Sequence, residues 1–268
     1  MVAEQIGVAG LGTIGKEVVR RLAEGIPGCQ LAGVASRDTE KAHTFLREEG
    51  IDVPLVELAS LVPLSDVVVE CLPPDLLTAI AEPMLKEGKE VVVLSVGALL
   101  DSPHLLDLAR EYGGRLIVPT GALLGLDAVG AAAEGIVHSI KITSRKPVKG
   151  LVGAPFLGQN MLSIEDITVP QLLFSGTARE AIVGFPANLN VAVALGLAGI
   201  GVDDTQVEIW ADPDISRNTH RVEVDADAAT FMMTIENVPS ENPRTGLITA
   251  LSVVSLLRKR HAPLVVGS

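Results

Sequence analysis

The feature that most constrains this chain is the spacing of three glycines close to its beginning. Gly10, Gly12 and Gly15 lie in the segment GLGTIG, directly after an apolar run at residues 5–9 and at the start of a helix-like pattern. In a strand–turn–helix unit, the first glycine permits a tight turn, the second lets the backbone approach a pyrophosphate, and the third allows helix and strand to pack closely. This context favours a dinucleotide-binding turn over the alternative, a glycine-rich turn with a purely structural role.

The helix that follows would bind phosphate through the free N–H groups of its first turn, which lie at the positive end of its dipole. We therefore expect Thr13 and Ile14 to join the three glycines as cofactor-binding residues. The predicted cofactor is NAD or NADP.

The first 120 residues alternate strand-like and helix-like patterns. Short apolar runs lie at residues 5–9, 31–35, 66–70, 90–94 and 115–119. Helical periodicity appears between them, at residues 14–24, 39–49, 76–87 and 103–111. Strands that alternate with helices predict parallel βαβ units, which right-handed crossovers arrange as a Rossmann-type doubly wound parallel sheet.

From about residue 122 the pattern changes to cleaner polar–apolar alternation, which is typical of strands with one covered face. The alternating runs are residues 139–143, 206–211, 220–225 and 230–236, and helical stretches lie at 177–183 and 188–199. These patterns predict a second α+β domain that contains a mixed or antiparallel sheet. A last helical pattern, at residues 245–260, ends in the basic segment LRKRH and is expected to return to the first domain.

We therefore expect two domains. Residues 1–121 plus 243–268 would form the dinucleotide-binding domain, and residues 122–242 would form the substrate-binding, catalytic and dimerisation domain. Apolar residues make up 48% of the chain and aromatic residues only 3%, so the cores must be built from aliphatic side chains. Such a composition suits buried parallel strands that are covered by helices.

Charge and cysteine content narrow the possible partners. The net charge is −12 and no cluster of Lys and Arg forms the basic face that a nucleic-acid binder needs, which argues against nucleic-acid binding. Cys29 and Cys71 are too few for a disulfide framework, and without a CxxC pair we expect no metal site. No apolar run approaches the roughly 20 residues that span a bilayer. Since no signal-like segment precedes the first strand, we expect a cytoplasmic protein that does not enter membranes.

The end of the second strand bears on the choice between NAD and NADP. Ser36 stands where an NAD-selective site usually has an acidic residue, and Arg37 follows it. A small hydroxyl residue followed by Arg can hold a 2′-phosphate, which predicts that NADP is accepted. Asp38 could restore an acid if the strand ended two positions later, and Arg37 could be a solvated surface charge, so NAD is not excluded.

Small residues and prolines follow several predicted strands, where a flat nicotinamide ring could approach the backbone. Cys71, in the segment ECLPP, is the residue of this kind that we expect to contact the cofactor. A nucleophilic role for its thiol is less favoured, since no histidine lies near it in sequence and buried cysteines are usually inert.

His220 differs from the other histidines, which have the sequence context of surface residues. It begins an alternating strand and shares one face with Asn218, Val222 and Val224. The valines indicate that this face is covered, so the polar pair requires hydrogen-bond partners or a ligand. Taken alone, this pattern favours a structural histidine. The functional alternative is an acid–base catalyst, with Asn218 orienting a water molecule or the imidazole.

Eight segments together resemble the L-aspartate dehydrogenase family over nearly the whole chain. They are GLGTIG (10–15), ECLPP (70–74), SVGAL (95–99), PTGALLGLDA (119–128), TSRKP (143–147), NLNVAVALGLAG (188–199), RNTH (217–220) and ENVPSENPRTG (236–246). Most of them are long and unlike the segments of other Rossmann families, so the combined resemblance is specific. One mild departure is Thr120, which stands where relatives often carry Ser.

The resemblance implies oxidation of L-aspartate with NAD(P)+ to iminoaspartate, which is hydrolysed to oxaloacetate and ammonia. It also implies a homodimer and a link to the biosynthesis of nicotinamide cofactors. By the same resemblance, His220 is the catalytic histidine, and Ala122 and Asn190 are positions that contact the cofactor.

A dicarboxylate substrate requires fixed cations. The candidates are Arg145, Lys146, Arg217 and Arg244, each of which could equally be a solvated surface charge.

Two other functions fit the same residues. One is another two-domain NAD(P)H oxidoreductase, of the dihydrodipicolinate reductase or homoserine dehydrogenase type, although the ENPRTG and NLNVA segments argue against it. The other is a non-catalytic NADP-binding sensor, which would keep GLGTIG but would not require His220 on a covered face.

Overall fold

The protein is described by a computed structural model that covers residues 2–186, 189–239 and 246–267. The chain divides into two compact units. The first contains the residues up to Pro119 together with Thr249–Val266, and the second contains Thr120–Ile248. None of the helices in the described ranges is long and apolar enough to cross a membrane.

The first unit is built on a six-stranded parallel sheet with the strand order β3-β2-β1-β4-β5-β6. The strands are β1 (Glu4–Ala9), β2 (Cys29–Ala35), β3 (Leu55–Val56), β4 (Val67–Glu70), β5 (Glu90–Val93) and β6 (Arg115–Ile117). This order confirms the predicted doubly wound parallel sheet. Val67, Val68 and Val69 are all at most 1% exposed, because both faces of a parallel sheet are covered.

Helices of the first unit follow the strands in the alternating order that the sequence predicted. They are α1 (Thr13–Glu24), α2 (Thr39–Glu48), the single turn α3 (Leu61–Leu64), α4 (Leu77–Lys86) and α5 (His104–Tyr112). Val18, Val19 and Leu22 of α1 share a core cluster with strand residues such as Ile6 and Val8.

The second unit contains a five-stranded mixed sheet with the order β11-β10-β7-β9-β8, in which only β7 and β9 are parallel neighbours. The strands are β7 (Val137–Pro147), β8 (Gln171–Thr177), β9 (Gln206–Asp212), β10 (Asn218–Ala226) and β11 (Thr230–Asn237). The helices are α6 (Leu126–Ala133), α7 (Val148–Leu151), α8 (Pro155–Gln159), α9 (Ala178–Gly184) and α10 (Asn190–Ala198). One face of the sheet is buried, as Ile142, Ile209 and Val222 show with no exposed surface.

The last helix, α11 (Leu247–His261), packs into the core of the first unit. Its residues Ala250, Val253 and Leu257 belong to the same core cluster as β1 and α1. At its end, Arg260 donates hydrogen bonds to Glu4 at the start of β1, with Nε 2.8 Å from Oε2. These contacts connect the C-terminal end of the helix to the amino end of the central strand.

Candidate active site

Three predicted cofactor residues meet at the carboxyl edge of the first sheet. Gly10 follows β1, Ser36 follows β2 and Cys71 follows β4, and β1 lies between the other two strands. Backbone hydrogen bonds hold them together: the Gly10 N–H donates to Ala35 (2.8 Å) and the Cys71 N–H donates to Ala9 (2.7 Å). The strand order reverses direction between β1 and β4, which is where doubly wound sheets bind ligands.

The three glycines of the turn have different roles. Gly10 has φ +98°, and a Cβ there would collide with the carbonyl oxygen of Cys71. A Cβ on Gly15 would collide with the carbonyl oxygen of Gly10. A Cβ on Gly12, in contrast, would meet no heavy atom of the described residues within 4 Å. The turn itself therefore requires Gly10 and Gly15, whereas Gly12 leaves room for a ligand.

The first turn of α1 fits the phosphate role. Gly12 is the N-cap residue of α1, and no described side chain caps the helix. The N–H groups of Thr13 and Ile14 therefore lie at an uncapped helix N-terminus of the kind that binds anions. These residues and the space at Gly12 fit the pyrophosphate of a dinucleotide.

The residues after β2 show why Asp38 does not replace the missing acid at position 36. The Asp38 carboxylate caps α2, accepting a hydrogen bond from the Lys41 N–H at 3.1 Å and forming an ion pair with Lys41 Nζ at 2.7 Å. Lys41 lowers the pKa of the Asp38 carboxyl. Arg37 is exposed and forms no ion pair within the described residues. Its guanidinium is available to a phosphate.

Glu70, which the sequence analysis did not single out, organises the edge around Cys71. Its carboxylate is fully buried and accepts hydrogen bonds from the N–H groups of Leu72 (2.8 Å), Leu94 (3.1 Å) and Ser95 (2.9 Å) and from the Ser95 hydroxyl (3.0 Å). Burial raises the pKa of Glu70, and these donors oppose the rise. The carboxylate thus ties the loop after β4 to the loop after β5.

The Cys71 thiol has no activating environment. Burial and the neighbouring charge of Glu70 raise its pKa well above the ordinary value for a thiol. The thiolate, which is the nucleophilic form, is therefore disfavoured at neutral pH. Cys71 remains a candidate for contact with the cofactor only.

In the second unit, His220 lies on the covered face of β10 and is 2% exposed. Its Nδ1 lies 2.8 Å from the Ser144 hydroxyl oxygen on the neighbouring strand β7, and the two residues are directly paired in register. Val222 and Val224, on the same face, are 0% and 2% exposed, which confirms the predicted covered face. Since Ser144 takes one ring nitrogen, Nε2 is the nitrogen left to exchange a proton or contact a ligand.

The covered face also determines the protonation state of the His220 imidazole. Burial lowers its pKa to about 3, and the positive charge of Lys146 contributes to the shift. The physical reason is the closed face, which disfavours the imidazolium ion. The imidazole is therefore neutral at pH 7.

The four candidate cations have different surroundings. Arg145 forms an ion pair with Asp212 at 2.7 Å, and Arg217 is exposed. Lys146 is 2% exposed, so the alternative of a solvated surface charge is wrong for this residue. Burial lowers its pKa to about 8. Arg244 lies outside the described residues.

The two positions implied by family resemblance are both in the second unit. The carbonyl oxygen of Ala122 accepts a hydrogen bond of 2.9 Å from the Asn237 side-chain amide on β11. Asn237 is paired in register with Asn218, so Ala122 is connected to the strand that carries His220. Asn190 is the first residue of α10.

A cavity of about 670 Å³ in the second unit lies next to Asn218. Its walls also include Pro147, Asp212, Ser216 and Pro239. This volume is in the range of small-molecule sites.

Among the described residues, one cluster of potential metal ligands occurs, and it lies in the first unit. Glu4, Cys29 and His261 bring one ligand atom each to within 4.8 Å of one another. The Glu4 carboxylate, however, is already held by the guanidinium of Arg260 and by His261 Nε2 at 3.1 Å. The geometry therefore indicates that these contacts fix the end of α11 to Glu4 at the start of β1.

The doubly wound sheet, the glycine turn and the separate mixed sheet with a buried histidine define a two-unit, nicotinamide-dependent oxidoreductase. Comparison with known proteins identifies the family. The family model described as "Aspartate dehydrogenase, C-terminal" matches residues 127–260, and "Homoserine dehydrogenase, NAD binding domain" matches residues 10–119. The similarity to the homoserine dehydrogenase model is thus restricted to the dinucleotide-binding part.

Relatives that align over nearly their whole length agree with the aspartate dehydrogenase family model. The L-aspartate dehydrogenase of Bradyrhizobium diazoefficiens is 55% identical over 98% of this chain and 94% of its own length. L-aspartate dehydrogenase 3 of Bordetella bronchiseptica is also 55% identical, over 98% of this chain and 97% of its own. The chain belongs to the L-aspartate dehydrogenase family, which confirms the resemblance seen in its motifs, and its cofactor is NAD or NADP.

Solved structures support the fold. The crystal structure of aspartate dehydrogenase from Thermotoga maritima aligns with a TM-score of 0.75 at 23% identity, covering 98% of this chain and 99% of that one. Myo-inositol dehydrogenase from Lactobacillus casei aligns with a TM-score of 0.60 at 13% identity, covering 100% of this chain and 89% of that one. The two-unit architecture is therefore shared with other nicotinamide-dependent dehydrogenases.

Proposed function

We propose that this protein oxidises L-aspartate with NAD(P)+ to iminoaspartate, which water hydrolyses to oxaloacetate and ammonia, in a reversible reaction. The observation that carries the proposal is the 55% identity to L-aspartate dehydrogenases over 98% of the chain. Iminoaspartate also links the reaction to the biosynthesis of nicotinamide cofactors.

The first unit would bind the cofactor and the second the substrate. Gly12 and the N–H groups of Thr13 and Ile14 would hold the pyrophosphate, and Arg37 a 2′-phosphate. Ala122 and Asn190 are proposed as further cofactor contacts. When bound, the nicotinamide ring supplies the acceptor for the hydride that leaves the substrate Cα.

His220 would accept the proton that is released in this oxidation. A neutral imidazole can accept a proton from the substrate ammonium group, or from the water that attacks the imine. The Ser144 hydroxyl, 2.8 Å from Nδ1, would fix the ring and leave Nε2 to exchange the proton. Asn218, on the same strand face, would orient the water or the imidazole.

The function is tested by mixing purified protein with NAD+ or NADP+ and L-aspartate, L-homoserine or L-glutamate in turn. We expect reduction of cofactor with L-aspartate, and consumption of reduced cofactor with oxaloacetate plus ammonia. Turnover with L-homoserine alone would favour the rival dehydrogenase, and cofactor binding without any turnover would favour a sensor. Folded protein that is inactive in both directions with both cofactors would contradict the proposal.

Arg37 should determine cofactor preference. Arg37→Ala is expected to raise the Michaelis constant for NADP+ by about tenfold or more relative to that for NAD+, because a charge-assisted hydrogen bond contributes about 1.5–3 kcal/mol. Steady-state kinetics with both cofactors measure this. Arg47→Ala, which removes an exposed charge from the last turn of α2, is the matched control. Equal effects on both cofactors would show that Arg37 does not discriminate between them.

We also propose a homodimer that forms through the outer face of the five-stranded sheet. Leu172 and Met232 on that face are 41% and 56% exposed, and Trp210 is paired in register with Leu172. Sedimentation at micromolar concentration tests this, and a fully monomeric species would contradict it. A cytoplasmic location is proposed as well, in keeping with two free cysteines.

A further inference from the structure

A row of polar side chains crosses three strands of the second sheet, beside the His220–Ser144 pair. Lys146 lies two residues beyond Ser144 on β7 and therefore on the same face. The register that pairs Thr219 with Arg145 brings Lys146 opposite Asn218 of β10. Asn218 is in turn paired with Asn237 of β11. One ammonium group and two amides thus form a row next to the catalytic histidine.

Lys146 has no counter-ion in the part of the chain that the structure describes. It is 2% exposed, and the nearby Asp212 carboxylate is instead paired with Arg145 at 2.7 Å. Buried charges in proteins are normally paired, because removing a charge from water is costly. An unpaired ammonium in a covered position is therefore unfavourable for the unliganded fold.

A second group in the same row also lacks a partner. The side-chain oxygen of Asn237 is buried and accepts no hydrogen bond from the described residues, although its amide nitrogen donates to Ala122. Buried charges and polar atoms usually have partners, so an ammonium without a counter-ion and an unsatisfied amide oxygen in one row indicate a ligand that supplies the partners. A ligand carrying a carboxylate and an amine would satisfy both groups.

We propose that Lys146 binds a carboxylate of the substrate, in a row completed by Asn218 and Asn237. The proposal rests on the proposed function and names the cation that the dicarboxylate requires. Lys146 lies diagonally across the β7–β10 pair from His220, and diagonal neighbours are about 7–8 Å apart, so one small dicarboxylate can contact both the Lys146 ammonium and the His220 imidazole. Lys146 is a binding residue that contacts the substrate directly.

The test replaces Lys146 with a neutral side chain of similar length. In Lys146→Met the Michaelis constant for L-aspartate should rise by about tenfold to a hundredfold, as for loss of a charge-assisted hydrogen bond. NADPH binding, measured by fluorescence titration, should stay within twofold of the wild type. The melting temperature should not fall, since an unpaired buried charge has been removed. Lys86→Met, which removes the same charge from an exposed helical position, should leave all three quantities unchanged.

A non-reacting ligand separates this inference from the proposed function. Succinate is a dicarboxylate that lacks the amino group, so its affinity can be measured by calorimetry without turnover. Succinate binding that is weakened at least tenfold by Lys146→Met supports the inference, even if the wild type does not oxidise L-aspartate. Turnover of L-aspartate by the wild type, together with an unchanged Michaelis constant and unchanged succinate affinity in Lys146→Met, would overturn the inference and leave the function standing. Early melting of Lys146→Met with a parallel loss of NADPH binding would also overturn it, because it would show a structural role.

Discussion

Turnover of L-aspartate is expected to fall by about 10²–10⁴-fold in His220→Ala, the usual contribution of a general acid–base group. The expectation follows from the position of the ring, which is 2% exposed, held by Ser144 at Nδ1 and left with Nε2 for the substrate. The affinity for NADPH should change little, because the proposed phosphate and ribose contacts belong to the first unit. Turnover numbers and NADPH titrations of the folded variant measure both quantities.

A purely structural histidine would give the opposite pattern. Loss of its hydrogen bond would lower the free energy of unfolding by about 1–3 kcal/mol, while turnover per folded molecule survived. Thermal melting of His220→Ala therefore accompanies the kinetics, and Ser144→Ala is the matched variant that removes the partner hydroxyl but keeps the imidazole. A His220→Ala protein that melts early yet turns over normally at low temperature would exclude catalysis by this residue.

The burial of His220 also predicts how this residue's contribution to the free energy of unfolding depends on pH. Its pKa is about 3 in the folded protein and 6.5 as the ordinary value, so the unfolded chain binds the proton first as the pH falls. The contribution is fully present above pH 6.5 and is lost between about 6.5 and 3, with a slope of up to about 1.4 kcal/mol per pH unit. Across that pH window, the free energy of unfolding of His220→Ala should fall less steeply with decreasing pH than that of the wild type.

Cofactor affinity is expected to fall by about a hundredfold or more in Gly12→Ala, with no loss of stability. The residue has φ −72°, which alanine adopts freely, and its Cβ would meet no described atom within 4 Å. The added methyl group would instead occupy the space through which the pyrophosphate approaches the backbone. Losing even two charge-assisted hydrogen bonds, at about 1.5–3 kcal/mol each, accounts for this size of effect.

Gly15→Ala is the matched variant for this prediction. Its Cβ would collide with the Gly10 carbonyl oxygen, so the turn must shift even without cofactor. We expect the free energy of unfolding to fall by about 1–3 kcal/mol, as in other overpacked sites. Melting curves and NADPH titrations separate the two variants. If Gly12→Ala melted early and Gly15→Ala did not, the assignment of ligand space to Gly12 would be wrong.

The sequence predicted five of the six strands of the first sheet, because those strands are largely continuous apolar runs. It placed β7 at residues 139–143, whereas the strand is Val137–Pro147. The polar residues Ser144 and Lys146 lie on its covered face and so interrupt the alternation that reveals a strand. Two edge strands were missed: β3 has only two residues, and β8 has a register shift between Leu172 and Phe174.

The candidate site was predictable only as far as local periodicity extends. Val222 and Val224 identified the covered face of His220 because they lie on the same strand. Ser144 is 76 residues away in sequence, so no local pattern could assign it to the ring nitrogen. The pKa of His220 is lowered first by burial and secondly by the charge of Lys146, which reaches the ring only through the pairing of β7 with β10. Glu70 was missed for a similar reason, because its partners Leu94 and Ser95 follow a different strand.

The packing of α11 has a consequence for the order in which the chain can fold while it is being made. A nascent chain leaves the ribosome from its N-terminus, and domains generally fold as they emerge. The first 119 residues emerge without α11, although Val253 and Leu257 of that helix are fully buried in the same core cluster as Ile6 and Val8. Almost all of the second unit, Thr120–Ile248, is one continuous stretch that emerges before most of α11. During synthesis, the unit that comes second in the gene can therefore complete its fold first, while the first keeps apolar surface open until the last helix is released.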